Sequence, residues 1–225
     1  MATFKVTKGT PVAFRDSAYP TAYPSAHEGE LFYNSSSGAF QFLGLAAGAW
    51  SSGGNLNTTR QQSAKGTAGI QTAAVATGGK AGSTNYAVTE QYNGTAWSEV
   101  NDLNTARQAA ASCATSNTAL VIAGGNTPTV LANTESFNGS SWSEVNDLNT
   151  ARVQFAGAGT QAAGLVFGGN PGAVAVTELW NGTSWTEVGD LNKARTTLSE
   201  AGASNSSALA FGGYTDPTTG KTESW

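Results

Sequence analysis

Four short runs, Ala73–Thr77, Ala119–Ala123, 163–167 and Ser207–Phe211, are apolar at nearly every position. Each ends on a glycine pair, at 78–79, 124–125, 168–169 and 212–213. Five residues make a poor helix, and an apolar run without alternation predicts a strand covered on both faces. The glycine pair stops each run where the chain needs positive φ or close backbone approach. Further on the pattern alternates, first in TEQY, TESF, TELW and TESW, then in WSEV, WSEV and WTEV. Alternating apolar and polar positions predict strands with one wet face. Asn-Gly separates the two alternating runs in NGTAW, NGSSW and NGTSW, the strongest short-range signal for a hairpin. EVNDLN, EVNDLN and EVGDLN put Asp102, Asp147 and Asp190 where an Asx-turn bends one strand into the next. The stretches that follow, QAAASCAT, VQFAGAGT and TTLSEAGA, are built of small residues and suit a crowded innermost strand.

These pieces recur in a fixed order. Trp stands at 50, 97, 142 and 185, and Arg60, Arg107, Arg152 and Arg195 each lie ten residues after a Trp. Glu90, Glu135, Glu178 and Glu223 each open the first alternating strand. Four predicted strands in a unit of ~45 residues, repeated four times, are the signature of propeller blades that bury their faces only against their neighbours. The expected fold is all-β, a four-bladed β-propeller over 49–225. From axis to rim each blade runs small-residue strand, glycine-pair strand, Glu strand, Trp strand. The repeat begins on a rim strand at Trp50 and ends on a Glu strand at 221–225. Pairing those two gives sixteen strands in four blades and covers the exposed edges. The other reading of the same phase is one portion of a longer array.

Composition narrows the chemistry. Asp, Glu, Lys and Arg make up 12% of the chain, against an ordinary share of ~25%. A formal charge of −4 leaves no basic surface for nucleic acid. One Cys and one His exclude a disulfide framework, a Cys/His zinc site and most imidazole catalysis, so no metal and no other cofactor is expected. No apolar run approaches the length of a membrane-spanning helix, so no membrane insertion is expected. The opening MATFKVTKGT has no apolar signal core.

The glycine pair after an apolar strand, the aromatic of the next strand (Tyr92, Phe137, Trp180), the Trp five residues later and the downstream LNTAR together resemble the kelch repeat. The resemblance covers 50–225 and implies a propeller of four-stranded blades. Residues 1–27, with Pro11, Pro20, Pro24 and the YPTAYPS doublet of Tyr19 and Tyr23, read as an extended arm. Residues 28–48, containing GELFYNSSSGAFQFLGL, read as a β-hairpin linker. That hairpin is similar to segments near the N-termini of phage tail-fibre and other virion proteins. The resemblance implies a non-enzymatic virion structural protein, a tail fibre or capsid appendage, assembled in the host cytoplasm and present in many copies. Its partners would be other virion proteins, through the segment from Met1 to Leu45, and a host-surface glycan or protein. A free lectin-like carbohydrate-binding module and a polysaccharide hydrolase are the rival readings.

Ten of the fifteen acidic residues are locked to the repeat: Glu90, Glu135, Glu178, Glu223, Glu99, Glu144, Glu187, Asp102, Asp147 and Asp190. A catalytic site needs asymmetric partners, so these are expected to serve the blades. Arg60, Arg107, Arg152 and Arg195 are expected to pair with Glu90, Glu135, Glu178 and Glu223, because a planar guanidinium holds a carboxylate well and a lone buried charge is costly. An open ring of arginines binding an anion is the alternative. The non-periodic Asp16, Glu28, Glu30, Glu200 and Asp216 suggest no glycosidase pair. His27 precedes the repeats and reads as a surface residue, while Cys113 reads as a small buried hydrophobe. Asn93, Asn138 and Asn181 match a glycosylation pattern but coincide with turns. The loops after the glycine pairs, 80–87, 126–133, 170–175 and 214–221, vary while their flanks stay constant. Binding is expected there, with Tyr86, Asn126, Asn170, Tyr214 and Asp216 offering sugars stacking and hydrogen bonds.

Overall fold

The computed structural model describes residues 31–34, 39–42, 52–65, 69–215 and 218–225. The chain divides into two compact units, Met1–Ser52 and Gly53–Trp225. In the first, β1 (Leu31–Asn34) and β2 (Ala39–Phe42) pair antiparallel, Leu31 opposite Phe42 and Asn34 opposite Ala39. The expected arm 1–27 lies outside the described residues.

The second unit is a β-propeller of four antiparallel sheets, with no helix among the described residues. Blade 1 contains β3 (Gly69–Ile70) and β4 (Ala73–Thr77). A small flap of β5 (Lys80–Ala81) and β6 (Thr84–Asn85) follows, and β7 (Thr89–Tyr92) and β8 (Trp97–Val100) complete the sheet. Blade 2 has β9 (Ala111–Ser116), β10 (Ala119–Ala123), β11 (Thr134–Phe137) and β12 (Trp142–Val145). Blade 3 has β13 (Ala156–Gly159), β14 (Gly164–Phe167), β15 (Thr177–Trp180) and β16 (Trp185–Glu187). Blade 4 has β17 (Ser199–Ser204), β18 (Ser207–Phe211) and β19 (Thr222–Ser224). Within each sheet the strands neighbour in chain order. The inner strands pack side by side: β3 on β9, β9 on β13, β13 on β17.

The rim strand expected at Trp50 to complete the sixteen-strand closure lies outside the described residues. Among the described residues blade 4 has three strands, and β19 pairs with β18. The stretch 52–60 contains no strand. That stretch carries Gly53, Gly54, Asn55 and Asn57, poor strand formers. Its first bonds go to blade 1 instead, where the Asn57 amide donates to Glu90 at 2.7 Å.

Blades stack through their glycine-pair strands. Val75 packs with Leu120 and Ile122 of blade 2, Val121 and Ala123 with Val166 of blade 3, and Leu165 and Phe167 with Ala208 and Ala210 of blade 4. The repeat tryptophans reinforce the first two seams. Trp142 is 7% exposed and its Nε1 donates to Thr89 Oγ1 of blade 1 at 3.2 Å. Trp185 is 5% exposed and donates to Thr134 Oγ1 of blade 2 at 3.1 Å. Each tryptophan also leans on the aromatic across its own hairpin, with Phe137–Trp142 centroids 4.9 Å apart and Trp180–Trp185 5.1 Å.

A chain of peptide bonds ties the blades at their inner ends. Gln62, Ala109, Gln154 and Thr197 take φ of 55°, 51°, 58° and 52°. That conformation costs a side-chain-bearing residue roughly 1–2 kcal/mol. It aims each amide at the preceding blade: Ala109 N donates to Gln62 O at 2.8 Å, Gln154 N to Ala109 O at 2.9 Å and Thr197 N to Gln154 O at 2.8 Å. Close approach explains the first glycine of the pair as well. A Cβ on Gly78 or Gly124 would stand 2.6 Å from the carbonyl oxygen of Arg107 or Arg152 in the next repeat.

Truncating a buried tryptophan leaves a cavity and removes the indole's bond to a threonine of the preceding blade. Trp142→Ala and Trp185→Ala are each expected to cost about 3–5 kcal/mol in urea denaturation. Trp97→Ala is expected to cost less, because Trp97 is half-buried. Equal losses at all three positions would contradict the seam geometry.

Candidate binding face

The geometry of the variable loops starts with the arginines. Arg107 Nη1 donates to Gly124 O at 3.1 Å and Asn133 O at 2.6 Å, Nη2 to Glu135 Oε1 at 2.6 Å, and Nε to Thr105 O at 3.2 Å. Gly124 and Asn133 are the two feet of the 126–133 loop, so one buried guanidinium clips the loop at its base. Arg60 holds Gly78 O and Val88 O, Arg152 holds Gly168 O and Val176 O, and Arg195 holds Gly212 O and Lys221 O. The ion pairs are Arg60–Glu90, Arg107–Glu135, Arg152–Glu178 and Arg195–Glu223, with every arginine side chain fully buried.

Each glutamate binds the connection that enters its blade. Glu135 Oε2 accepts from Asn104 N at 2.7 Å and from Asn104 Nδ2 at 3.0 Å, and Oε1 accepts from Thr105 N at 3.1 Å. Burial would raise the pKa of Glu90, but the amides of Asn57 and Thr58 and the charge of Arg60 outweigh it and hold the carboxyl below its ordinary 4.5. Glu223 is likewise lowered, against burial, by Asn192 and Arg195. Burial pulls the Arg107 and Arg152 guanidinium pKa down, opposed by Glu135 and Glu178.

Two turn assignments exchange places. The expected Asx-turns at Asp102, Asp147 and Asp190 give way to longer ties. These carboxylates accept from Thr89 N, Thr134 N and Thr177 N at 3.2, 3.1 and 3.1 Å, anchoring the rim turn to the blade's own Glu strand. The Asx-turns stand at Asn93, Asn138 and Asn181, where Asn93 Oδ1 accepts from Thr95 N at 3.0 Å and Ala96 N at 2.9 Å. The asparagine thus folds over its own loop while the following glycine takes positive φ.

On the loop side, the residue after each glycine pair bridges to the residue after each arginine: Lys80 with Gln61, Asn126 with Gln108, Asn170 with Val153, Tyr214 with Thr196. This column places Asn126, Asn170 and Tyr214 at equivalent positions. Asn170 and Tyr214 meet in a depression of about 440 Å³ lined also by Ala173, Ala194, Thr196 and Thr215. Tyr214 is 55% exposed there. Asn170 Oδ1 is used within its loop, accepting from Gly172 N at 2.6 Å. Tyr86 and Asn126 do not line this depression. Tyr86 is half-buried, its backbone tied to Gly79 and Arg107, and Asn85, its neighbour, donates to Asn126 O at 3.2 Å. Asp216 lies outside the described residues. Lys80, Thr196 and Gln108, whose Oε1 is buried without a partner, escaped the sequence reading. Aligning the repeats on the glycine pairs exposes Lys80 as the fourth member of the column.

A second depression lies in the seam of blades 3 and 4, lined by Leu165, Phe167, Thr177, Leu191, Ala210 and Trp225 among others. These repeat, one blade on, the surroundings of Trp185: Val121, Ala123, Thr134, Leu148, Val166 and Trp180. It matches, one blade on, the slot that the Trp185 indole fills. Cys113 is buried between blades 2 and 3, and burial pushes its thiol up to about 12, leaving it a poor nucleophile. The chain matches no protein-family model and no curated protein.

Removing one partner of a buried pair strands the other. Arg107→Ala is expected to cost about 3–5 kcal/mol, and the apolar double variant Arg107→Met with Glu135→Leu less than that. A depressed carboxyl pKa contributes stability that is present above the unfolded value and lost as pH falls through the folded one. Denaturant titrations from pH 7 to pH 3 should therefore show stability falling below about pH 4.5. Glu90→Gln is expected to flatten that fall, and an unchanged slope would contradict the role given to Glu90.

Proposed function

We propose that this chain is a non-enzymatic structural protein of a phage particle, a tail fibre or capsid appendage. Its kelch-like propeller binds a host-surface glycan, and its segment from Met1 to Leu45 joins other virion proteins. The observation that carries the binding part is the depression shared by Asn170, Thr196 and Tyr214. It presents an exposed aromatic ring beside neutral hydrogen-bonding groups, on loops whose feet are clipped by buried arginines. Such a surface suits uncharged sugar rings, which stack on aromatics and exchange hydrogen bonds with amides and hydroxyls. The fixed loop bases lower the ordering cost of binding. The repeat-locked Glu90, Glu135, Glu178 and Glu223 are engaged by arginine, which favours binding over hydrolysis. The particle assignment rests on the resemblance of 29–45 to virion hairpins.

Binding of the full chain to a glycan array and to host cells tests this reading. Tyr214→Ala is expected to lower binding at least tenfold while leaving the unfolding midpoint unchanged, since the ring is exposed. Unaltered binding would remove the depression from consideration. Binding without any association with purified particles would favour a free lectin, and release of reducing sugar would favour a hydrolase.

A further inference from the structure

Three seams join the four blades, and their parts repeat. The second glycine of the pair donates to the next arginine's carbonyl: Gly79 to Arg107 at 2.8 Å, Gly125 to Arg152 at 2.9 Å, Gly169 to Arg195 at 2.8 Å. The axial amides link Gln62, Ala109, Gln154 and Thr197. Apolar residues of one glycine-pair strand meet the next blade. In two seams an indole reaches back to a threonine hydroxyl.

The same parts stand unmatched at the two ends of the stack. On blade 4, Leu209 and Phe211 occupy the positions of Leu165 and Phe167, yet they are 42% and 38% exposed. Gly213 N, Thr197 O and the Thr222 hydroxyl have no partner among the described residues. A Cβ on Gly212 would meet nothing within 4 Å, although Gly78 and Gly124 are crowded by the next repeat. On blade 1, Ala74 and Ala76 occupy the positions of Ala208 and Ala210 but are only half-buried. Arg60 O, Gln62 N and Trp97 Nε1 are likewise without partners among the described residues. Each orphan on one end has its complement on the other: Gly213 N with Arg60 O, Gln62 N with Thr197 O, Trp97 Nε1 with Thr222 Oγ1, Leu209 and Phe211 with Ala74 and Ala76.

We propose that a second copy of the chain completes this seam head-to-tail. Blade 4 of each copy stacks on blade 1 of the other, and two copies close one ring. The occupant must carry an alanine-lined blade face, an open arginine carbonyl and an unpaired indole N–H, and blade 1 of this chain carries all three. Among the described residues, the packing neighbours of β17 are β13 and β18, and those of β3 are β4 and β9. The contact is heterologous, and such contacts make a closed assembly when the rotation returns to its start.

Sedimentation equilibrium of the full chain, with cysteine cross-linking, tests the joint. The wild type is expected to weigh two chains. Leu209→Glu puts a charge on the stacking face and is expected to give single chains with an unchanged far-ultraviolet strand signal. A Leu209→Cys chain mixed with an Ala74→Cys chain is expected to form an interchain disulfide under mild oxidation. The native Cys113 is buried and does not compete. A wild type that weighs one chain at every concentration overturns the proposal, as does any mass other than two chains. A mass unaffected by Leu209→Glu also overturns it. So does a Leu209→Cys, Ala74→Cys double variant that cross-links within a single chain, which would show the ring closing on itself.

Discussion

A guanidinium taken out of water brings five N–H donors and one charge that must find acceptors. At the position ten residues after each repeat tryptophan the Nη atoms are satisfied the same way four times, whereas Nε finds a carbonyl in Arg107 and Arg152 and, among the described residues, none in Arg60 and Arg195. One nitrogen reaches the carboxylate of the Glu strand, and another spans the two carbonyls at the feet of the loop above. The glutamate, made an acceptor on both oxygens, captures the chain entering the blade through the amides of Asn104 and Thr105 or their equivalents. Entry segment, blade and loop base are thus held by one pair. In a chain with 12% charged residues, so much charge spent at one recurring position marks where sheets of small side chains need polar reinforcement.

Most of this was legible in the residues because the repeat presents each feature four times. The blade boundaries follow from the glycine pairs, and the arginines and glutamates stand out against a nearly uncharged background. What escaped depends on distances along the chain that a local reading does not see. Asp102 looks like an Asx-turn residue because Asp favours one, but its partner is Thr89, thirteen residues back. Nothing about Ala109, Gln154 or Thr197 signals positive φ; tertiary hydrogen bonds to the previous blade impose it. Phase along the repeat identifies which strand type would follow β19, and its expected place at Trp50 lies outside the described residues; Asn57 and Thr58, before Arg60, bond to Glu90 of blade 1.

The candidate site shows the same split between repeat and exception. Column positions such as Asn126, Asn170 and Tyr214 come from the scaffold and were readable by alignment within the chain. Which of them share a surface depends on how far each loop folds back. The 80–87 loop closes as the small β5–β6 flap and turns Asn85 toward its neighbour, whereas the 170–175 loop turns on its own asparagine and leaves room beside Tyr214. Loop composition alone carries no record of that difference.

Because every blade touches only its immediate neighbours, cooperativity in this molecule is a nearest-neighbour property. Blades 2 and 3 are flanked on both sides, and their β9, β10, β13 and β14 strands are buried along almost their whole length. Blade 4 alternates buried and exposed residues along β18. Local opening then becomes a gradient. In a lone chain, amides in the middle of the stack exchange with solvent only when the whole array lets go, while those of the last blade follow a shallower, partial opening. A chain of identical parts therefore does not have one stability but a profile of them, highest at its centre.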